Sequence, residues 1–318
     1  MTNSPDLPTP WAPEPASIEP QDQRRKILMI FNPTAGGARQ RLLQNVVKRL
    51  EQADATVTLR PTTKAGDAEV FAREASEARA DSPDLVVAAG GDGTINEVVN
   101  GLAGSTLPLA ILPMGTANVM AAEIGLGVSA KTVADAILTG PILPIHLGIA
   151  NGRRFTLMAG IGLDADVVAT IDTNLKRRTG KFAYAVATAM RWLEYRQRKF
   201  RISIDGQPYE AAAAVIANGH FYAGRFICAA DARLTDPILH VCLFEKPGRW
   251  QALYYMAALF GGFLSRLKTF RVVTGHEIQV LADHTGPVQG DGDVIAKLPV
   301  DIRVAAETIR LIMPVIRA

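Results

Sequence analysis

Three short apolar runs, each followed by a loop of glycine or small polar residues, constrain the fold of this chain most strongly. The runs are Lys26–Phe31, Leu85–Ala89 and Leu109–Leu112. Apolar runs without polar alternation are typical of parallel strands that are covered on both faces. The intervening stretches predict a helix over Ala38–Ala53, a strand over Thr56–Arg60, a helix over Asp67–Ala80 with Asp67 as its N-cap, and a helix over Thr94–Leu102. This alternation predicts an α/β domain with a mostly parallel sheet.

The pattern changes after about residue 142, where strand-like segments predominate. The segments are Ile142–Ile149, Phe155–Ala159, Arg201–Ile204, Ala213–Ala217, Leu239–Phe244, Glu277–Leu281, Val300–Val304 and Thr308–Met313. Helical stretches near 165–199 and 250–267 interrupt them. We therefore predict an α/β domain over 25–142 and a β-sandwich domain over 143–318, with the last strand able to pack back on the first domain.

The remaining bulk properties narrow the class of protein. Residues 1–24 hold six prolines and no apolar segment of a signal peptide, so we expect a disordered tail. The formal net charge is only +3, which gives no support for nucleic-acid binding. Cys228 and Cys242 lie in apolar segments without metal-ligand spacing, and we predict two buried, reduced thiols.

One uncharged apolar stretch bears on membrane contact. Trp250–Ser265 has 16 residues and contains Gly261-Gly262. A spanning helix needs roughly 20 apolar residues. The stretch is therefore predicted to be a buried or interfacial helix.

The loop after the second apolar run, Gly90–Thr94, has the composition of an anion site. Glycine lets the backbone approach a ligand, and the amides at a helix N-terminus attract phosphate. Asp92 would repel a phosphate, so a carboxylate there indicates a role in holding Mg²⁺ or handling a proton. A plain glycine-rich turn between strand and helix is the alternative.

Two further loops follow buried strands, Asn32–Gly37 and Gly115–Asn118. Loops at the carboxyl edge of one parallel sheet form the crevice where ligands of open α/β folds bind. Far along the chain, Gly290-Asp291-Gly292-Asp293 has the composition of a hairpin turn. It becomes a catalytic candidate only if the fold brings it to the crevice.

Four of these segments together resemble a known family. FNPTAGG (31–37), GGDGTINEVVNGL (90–102), LPMGTANVMAAEIGL (112–126) and QGDGD (289–293) are similar in order and spacing to the diacylglycerol kinase catalytic domain family. The resemblance is strongest to the bacterial soluble diacylglycerol-kinase-like lipid kinases, which are related to sphingosine and ceramide kinases. NAD kinases share GGDGT but lack the adjacent second loop.

The resemblance implies an ATP site, Mg²⁺ and a catalytic acid. Its nucleotide contacts would fall on Asn32, Pro33, Thr34, Ala35, Gly36, Thr62, Gly91, Asp92, Gly93, Thr94, Ile95, Asn96, Glu97 and Thr116. Its catalytic base would be Asp293 or Asp291, with Asp92 serving metal and phosphate. A structural Mg²⁺ in the second domain would be held by the Asp236 carboxylate and by the main-chain carbonyls of Arg233 and Ile238.

Three positions depart from the family pattern. Asp293 stands where glutamate is usual, Val119 where many relatives have aspartate, and Pro237 where glycine is usual. The first two motivate a catalytically weak pseudo-kinase as an alternative, and the third puts the structural metal site in doubt.

The implied activity is ATP-dependent phosphorylation of a lipid hydroxyl, in diacylglycerol or a similar glycerolipid. The alternatives are a sphingoid base or ceramide as acceptor, the pseudo-kinase, and a soluble-substrate kinase of the NAD kinase type. A lipid substrate requires peripheral membrane contact, and we expect a cytoplasmic protein at the inner face of the membrane, with a homodimer possible. Candidate docking regions are a basic cluster from Lys176 to Arg201 and the aromatic helix 250–264, and His220 is a candidate lipid contact.

Overall fold

The computed structural model describes residues 25–34, 37–78, 82–162, 165, 199–222, 224–282 and 285–315. The predicted tail over 1–24, the helical stretch near 165–199 and nearly all of the basic cluster lie outside these residues. Within them, an N-terminal α/β part precedes a C-terminal antiparallel sandwich, so the predicted fold class is confirmed.

The first sheet has six strands in the order β2-β1-β3-β4-β20-β5. Its strands are β1 (Lys26–Phe31), β2 (Thr56–Pro61), β3 (Leu85–Gly90), β4 (Leu109–Pro113), β5 (Ile142–Ile145) and β20 (Ile309–Ile312). The pairs up to β4 and β20 are parallel, and β5 is antiparallel to β20. The last strand thus lies in the sheet of the first domain.

Helices cover both faces of this sheet. They are α1 (Gly37–Glu51), α2 (Asp67–Glu77), α3 (Asp92–Leu102), α4 (Val119–Glu123) and α5 (Ala130–Thr139). Successive residues of β1 enter two separate cores: Ile27 and Met29 pack with Leu43 of α1, whereas Leu28 and Ile30 pack with Val98 of α3. This two-sided burial explains why the parallel strands read as unbroken apolar runs.

The second part is a sandwich of two six-stranded antiparallel sheets, ordered β10-β9-β16-β19-β6-β7 and β15-β14-β11-β8-β17-β18. The first contains β6 (Gly148–Ala150), β7 (Arg153–Phe155), β9 (Phe200–Ile204), β10 (Gln207–Ala211), β16 (Glu277–Leu281) and β19 (Val300–Val304). The second contains β8 (Met158–Ile161), β11 (Ala213–Ala217), β14 (Leu239–Phe244), β15 (Phe270–Gly275), β17 (Pro287–Gly290) and β18 (Asp293–Lys297). A small hairpin, β12 (Phe221–Tyr222) with β13 (Phe226–Ile227), and helix α6 (Arg249–Phe260) lie outside these sheets.

Two predicted strands prove to be two strands each. Ile142–Ile149 divides into β5 and β6, which belong to different sheets, because the chain passes there from the first part to the second. Phe155–Ala159 divides at Thr156-Leu157, between β7 and β8. The amides of Thr156 and Leu157 donate to the Asp291 carboxylate, so they are taken out of any strand ladder.

The predicted N-cap of α2 is wrong. Gly66, in a left-handed conformation with φ 89°, is the N-cap, and Asp67 is the first helical residue. The Asp67 carboxylate accepts hydrogen bonds from the amides of Thr63 and Lys64 and from the Thr63 hydroxyl. These bonds lower the pKa of Asp67, with the Thr63 hydroxyl contributing most. Its side chain therefore organises the preceding turn and does not cap the helix.

Both cysteines are buried and form no disulfide, as predicted. Among the described residues no helix is long and apolar enough to cross a membrane.

Candidate functional site

The glycine loop joins β3 to α3 and supplies the first turn of that helix. Gly91 is the N-cap, in an extended conformation, and the helix begins at Asp92. The predicted start at Thr94 was therefore two residues late. Amides in the first turn of a helix have no intrahelical acceptor and favour an anion. The N-cap residue is a glycine and makes no side-chain hydrogen bond to the first turn.

The second glycine loop lies directly against the first. A Cβ added to Gly115 would be 2.6 Å from the Cα of Gly91, and one added to Gly91 would be 3.2 Å from the Cα of Gly115. The amide of Met114 donates to the carbonyl of Gly90 over 2.8 Å. Only a residue without a side chain permits this backbone contact. Thr116 follows on the exposed part of the same loop.

The first loop after β1 belongs to the same edge of the sheet. The Asn32 amide donates to the carbonyl of Ala89 over 3.1 Å, which ties this loop to the end of β3. Asn32 Oδ1 accepts bonds from the amide and hydroxyl of Thr34, and Pro33 offers its carbonyl to Gln40. The Thr62 amide donates to the Phe31 carbonyl over 2.9 Å.

Four of the predicted nucleotide contacts in this region have described positions: Asn32, Pro33, Thr34 and Thr62. Ala35 and Gly36 lie outside the described residues. The three loops therefore meet at the carboxyl edge of one sheet, where ligands of open α/β folds bind.

Asp92 is a half-buried carboxylate on the inner side of the glycine loop. Its Oδ1 accepts the amide of Met120 over 3.1 Å, and the amide of Val119 also bonds to it. Burial raises the pKa of Asp92 above its ordinary value, and the neighbouring charge of Asp291 acts in the same direction. Burial disfavours the charged form of this carboxylate, and a cation bound beside the candidate anion site would stabilise that form.

The family's aspartate position is occupied here by Val119. Its side chain is 7 % exposed, and it begins α4. The backbone amide of Val119 donates to the Asp92 carboxylate. The main-chain hydrogen bond at this position is therefore present, whereas the acidic side chain is absent.

Asp291 and Gly292 form the two-residue turn of the β17–β18 hairpin, as their composition predicted. Their φ values are 51° and 91°, the left-handed conformation that such turns require. The hairpin is also at the crevice: a Cβ added to Gly93 would lie 2.9 Å from Asp293 Oδ2. The exposed Asp293 carboxylate therefore sits against the first turn of α3, although the two residues are far apart in the sequence.

The two acids of this hairpin have different surroundings. The Asp291 carboxylate accepts five hydrogen bonds, from Asn96 Nδ2, the Thr156 amide, the Thr156 hydroxyl, the Leu157 amide and the Met158 amide. The lengths run from 2.6 to 3.1 Å. These donors come from α3 in the first part, and from the β7–β8 turn and the first residue of β8 in the second. Asp291 therefore joins the two parts, whereas Asp293 is exposed at the mouth of the crevice.

Asn96 and Glu97 position neighbouring elements. Asn96 Nδ2 donates to the carbonyl of Arg154 over 3.0 Å as well as to Asp291, so it also joins the two parts. Glu97 Oε2 accepts the amide of Ala68, in the first turn of α2, over 3.2 Å. Ile95 is buried in the core beneath the loop.

The predicted structural metal site lies in the turn before β14. The Asp236 amide donates to the Arg233 carbonyl over 3.0 Å, and the Thr235 hydroxyl donates to Asp236 Oδ1. Within the described residues no group of three or more histidine, cysteine, aspartate or glutamate side chains could hold a metal. A site at Asp236, Arg233 and Ile238 would rest on one carboxylate and two main-chain oxygens, and it stays a prediction.

A buried pair that the sequence reasoning missed joins α4 to the segment at the start of the β12–β13 hairpin. Glu123 on α4 is 3 % exposed, and its carboxylate accepts the amides of His220 and Phe221. His220 Nδ1 lies 2.7 Å from Glu123 Oε1. The suggestion that His220 touches lipid receives no support, because His220 is buried against this carboxylate. Glu123 is a single acid within the apolar stretch around α4, and this was the sequence signal that could have indicated a buried pair.

The fold is that of a two-domain protein with glycine-rich loops at the carboxyl edge of a parallel sheet, which form a candidate anion site. The chain matches the family described as diacylglycerol kinase catalytic domain over residues 26–150. It also matches the family described as YegS C-terminal NAD kinase beta sandwich-like domain over residues 158–313. The chain belongs to the diacylglycerol kinase family, and the predicted resemblance is confirmed.

Similar proteins agree with this membership. A diacylglycerol kinase of Bacillus subtilis is 32 % identical over 228 residues, covering 70 % of this chain and 74 % of that protein. A diacylglycerol kinase of Staphylococcus carnosus is 27 % identical, covering 87 % of this chain and 91 % of its own length. A crystal structure of a diacylglycerol kinase from Bacillus anthracis superposes with a TM-score of 0.73 at 25 % identity, covering 92 % of this chain and 98 % of that one.

Proposed function

We propose that this protein is an ATP-dependent lipid kinase that phosphorylates a hydroxyl of diacylglycerol or a similar glycerolipid. The observation that carries the proposal is the contact between the Asp293 carboxylate and Gly93 in the first turn of α3. An exposed acid beside the first-turn amides of α3 supports a catalytic role for Asp293, because we propose that these amides bind phosphate. Relatives named diacylglycerol kinase support the choice of a lipid acceptor.

The glycine loops and Asp92 serve the donor side of the reaction. Phosphoryl transfer asks the protein mainly to position the reactants and to stabilise charge. The first-turn amides of α3 and the Thr116 loop bind the triphosphate of ATP. Asp92 would hold Mg²⁺, and the charge of the ion would neutralise the phosphates and relieve the repulsion between Asp92 and Asp291.

Asp293 is our candidate for the base that accepts the proton of the lipid hydroxyl. Asp291 already accepts five hydrogen bonds, so its oxygens are occupied by donors that join the two domains. The Asp293 carboxylate is exposed and borders the anion site. Its side chain is one methylene shorter than the glutamate usual in the family, and the contact with Gly93 supports sufficient reach.

The test is transfer of label from radiolabelled ATP to a panel of acceptors in mixed micelles. The panel contains diacylglycerol, phosphatidylglycerol, sphingosine, ceramide and, as a soluble acceptor, NAD. We expect label in diacylglycerol or a similar glycerolipid. Label in sphingosine or ceramide would show that the acceptor is a sphingoid base or ceramide in place of a glycerolipid. Label in NAD alone would refute the lipid kinase activity.

The same assay addresses the pseudo-kinase. ATP binding measured by calorimetry, together with no labelled product from any acceptor, would contradict the proposed activity and leave a nucleotide-binding protein.

A further inference from the structure

Helix α6 is apolar on two opposite faces, and within the described part of the chain only one of them is covered. Tyr255, Ala258 and Leu259 are buried against the rest of the protein. On the other side Trp250, Tyr254 and Phe260 are 65 %, 49 % and 56 % exposed. A surface helix normally turns its polar side to water. An uncovered apolar side of this kind indicates a contact made outside the chain.

We call the exposed side the α6 outer face and define it by Trp250, Leu253, Tyr254, Ala257 and Phe260. The first four recur at the spacing of adjacent helical turns, so they share one stripe. Beyond Arg249, the helix contains no charged residue. Trp250 and Tyr254 are side chains suited to a membrane interface, since each has an apolar body and a polar tip.

The helix is fixed in place from its inner side. The Tyr255 hydroxyl donates to the carbonyl of Thr269 over 2.8 Å and accepts the amide of Lys246 over 3.2 Å. The Tyr255 ring packs edge-on against Phe244, with ring centroids 5.0 Å apart. The outer face is therefore presented by an anchored helix.

Basic residues flank the outer face along the chain, before and after the helix. Arg249 is the first residue of α6, and the exposed Arg266 and Lys268 follow its end. The nearby acid Glu245 is paired with Arg271 over 3.0 Å. This border favours a negatively charged surface. It disfavours a second copy of the chain, because a symmetric contact would place the same cations against each other.

The outer face is connected to the crevice by apolar contacts. Phe260 packs against Phe226 of β13, with ring centroids 4.7 Å apart. The β12–β13 hairpin begins directly after His220 and packs on α4, the helix that follows the Thr116 loop. Apolar contacts therefore lead from the outer face to α4, the helix that follows the Thr116 loop.

We propose that the α6 outer face is the surface by which this protein docks on an anionic lipid bilayer. The aromatic and aliphatic side chains enter the interface, and Arg249, Arg266 and Lys268 contact anionic headgroups. The inference rests on the proposed function, because a lipid kinase must reach a substrate that lies in a bilayer. Its test uses no ATP and no turnover, so the two can fail separately.

The first experiment is co-sedimentation of the full chain with vesicles of phosphatidylcholine, with and without phosphatidylglycerol. The variant Trp250→Ala/Leu253→Ala/Phe260→Ala should lose about tenfold or more in partition coefficient. The variant Arg266→Gln/Lys268→Gln should lose about fivefold per charge on the anionic vesicles only. Val128→Ala, another exposed apolar site outside the face, is the matched control and should bind like the wild type.

A second experiment tests insertion directly. The chain has three tryptophans, so Trp11→Phe/Trp192→Phe leaves Trp250 as the reporter. Brominated lipids should quench its fluorescence, and its emission should shift to shorter wavelength on anionic vesicles. Absence of quenching while the protein is bound would show that another surface docks.

The outcomes separate the two proposals. Vesicle binding that is lost in the apolar variant supports the docking surface whether or not the protein phosphorylates lipid. Equal binding by the apolar variant and wild type, or no binding by the wild type, overturns it. A wild type that labels lipid in micelles but ignores vesicles would retain the proposed function and lose the docking surface.

Discussion

At the scale of the residue, two aspartates of one hairpin have opposite surroundings. Asp291 is enclosed by donors from both parts of the protein, and Asp293 is exposed against Gly93. A carboxylate with every oxygen bonded is suited to holding structure. An exposed carboxylate at the anion site is suited to meeting substrate.

Asp291→Asn is therefore expected to destabilise the protein. The new amide group would face N–H donors, and we expect a loss of about 2–3 kcal/mol in the free energy of unfolding. Urea unfolding monitored by circular dichroism measures it. Asp293→Asn is the matched control and should stay within about 0.5 kcal/mol of the wild type. Equal stabilities of the two variants would contradict the separation of roles.

Asp92 leads to a prediction about pH. Burial raises its pKa in the folded state above the ordinary 3.8, so folding favours the protonated form. The resulting stabilisation is present at low pH and is lost as the pH rises from the ordinary pKa through the raised one. Relative to Asp92→Asn, the wild type should therefore become less stable across this range. Unfolding in metal-free buffer at a series of pH values checks the sign, and a relative gain with rising pH would contradict it.

At the scale of the element, the contact between the two glycine loops sets the shape of the crevice. Gly115→Ala would push its Cβ against the Gly91 backbone. We expect a stability loss of about 1–3 kcal/mol, and a fall of about 10²-fold in kcat/KM for ATP from displaced loops. Gly127→Ala is the control, since its nearest added contact is at an ordinary 3.6 Å. Unchanged kinetics in Gly115→Ala would show that the loops need not touch.

Local patterns predicted strands β1 to β4 and the loops after them, because each depends on its own residues. Apolar runs gave β1, β3 and β4 within a residue of their ends. The composition of Asp291-Gly292 predicted the hairpin turn, but its position at the crevice depends on the sandwich that carries it. Likewise, no residue close to Asn96 or Thr156 in the sequence indicates that both donate hydrogen bonds to Asp291. Such contacts join distant segments, and one sequence alone does not reveal them.

At the scale of the whole molecule, polar bonds between the two parts frame the site. Arg153 pairs with Glu69 of α2, and Arg154 pairs with Glu307 just before β20. Burial acts to raise the pKa of Glu307, yet the hydrogen bond from Arg154, a backbone hydrogen bond and the charges of Arg154 and Arg303 together keep the pKa below its ordinary value. Together with Asp291, these pairs hold the sandwich against α2 and α3.

The most buried of these links is Glu123 with His220, so its loss should be the most costly. Glu123→Ala would leave two amides and the imidazole without their acceptor, and we expect a loss of roughly 2–5 kcal/mol in the free energy of unfolding. Glu210→Ala removes the exposed partner of Lys199 and should cost less than about 1 kcal/mol. Chemical denaturation of both variants measures the two losses in the free energy of unfolding. Equal losses would contradict a structural role for the buried pair.

The central claim is that the glycine loop of the first domain and Asp293 of the second form one catalytic site. The direct measurement is the initial rate of label transfer from ATP to diacylglycerol, compared between the wild type and Asp293→Asn at saturating ATP. Loss of a proton acceptor should lower kcat about 10²–10⁴-fold while the affinity for ATP is retained. Equal rates in the two proteins would contradict the claim.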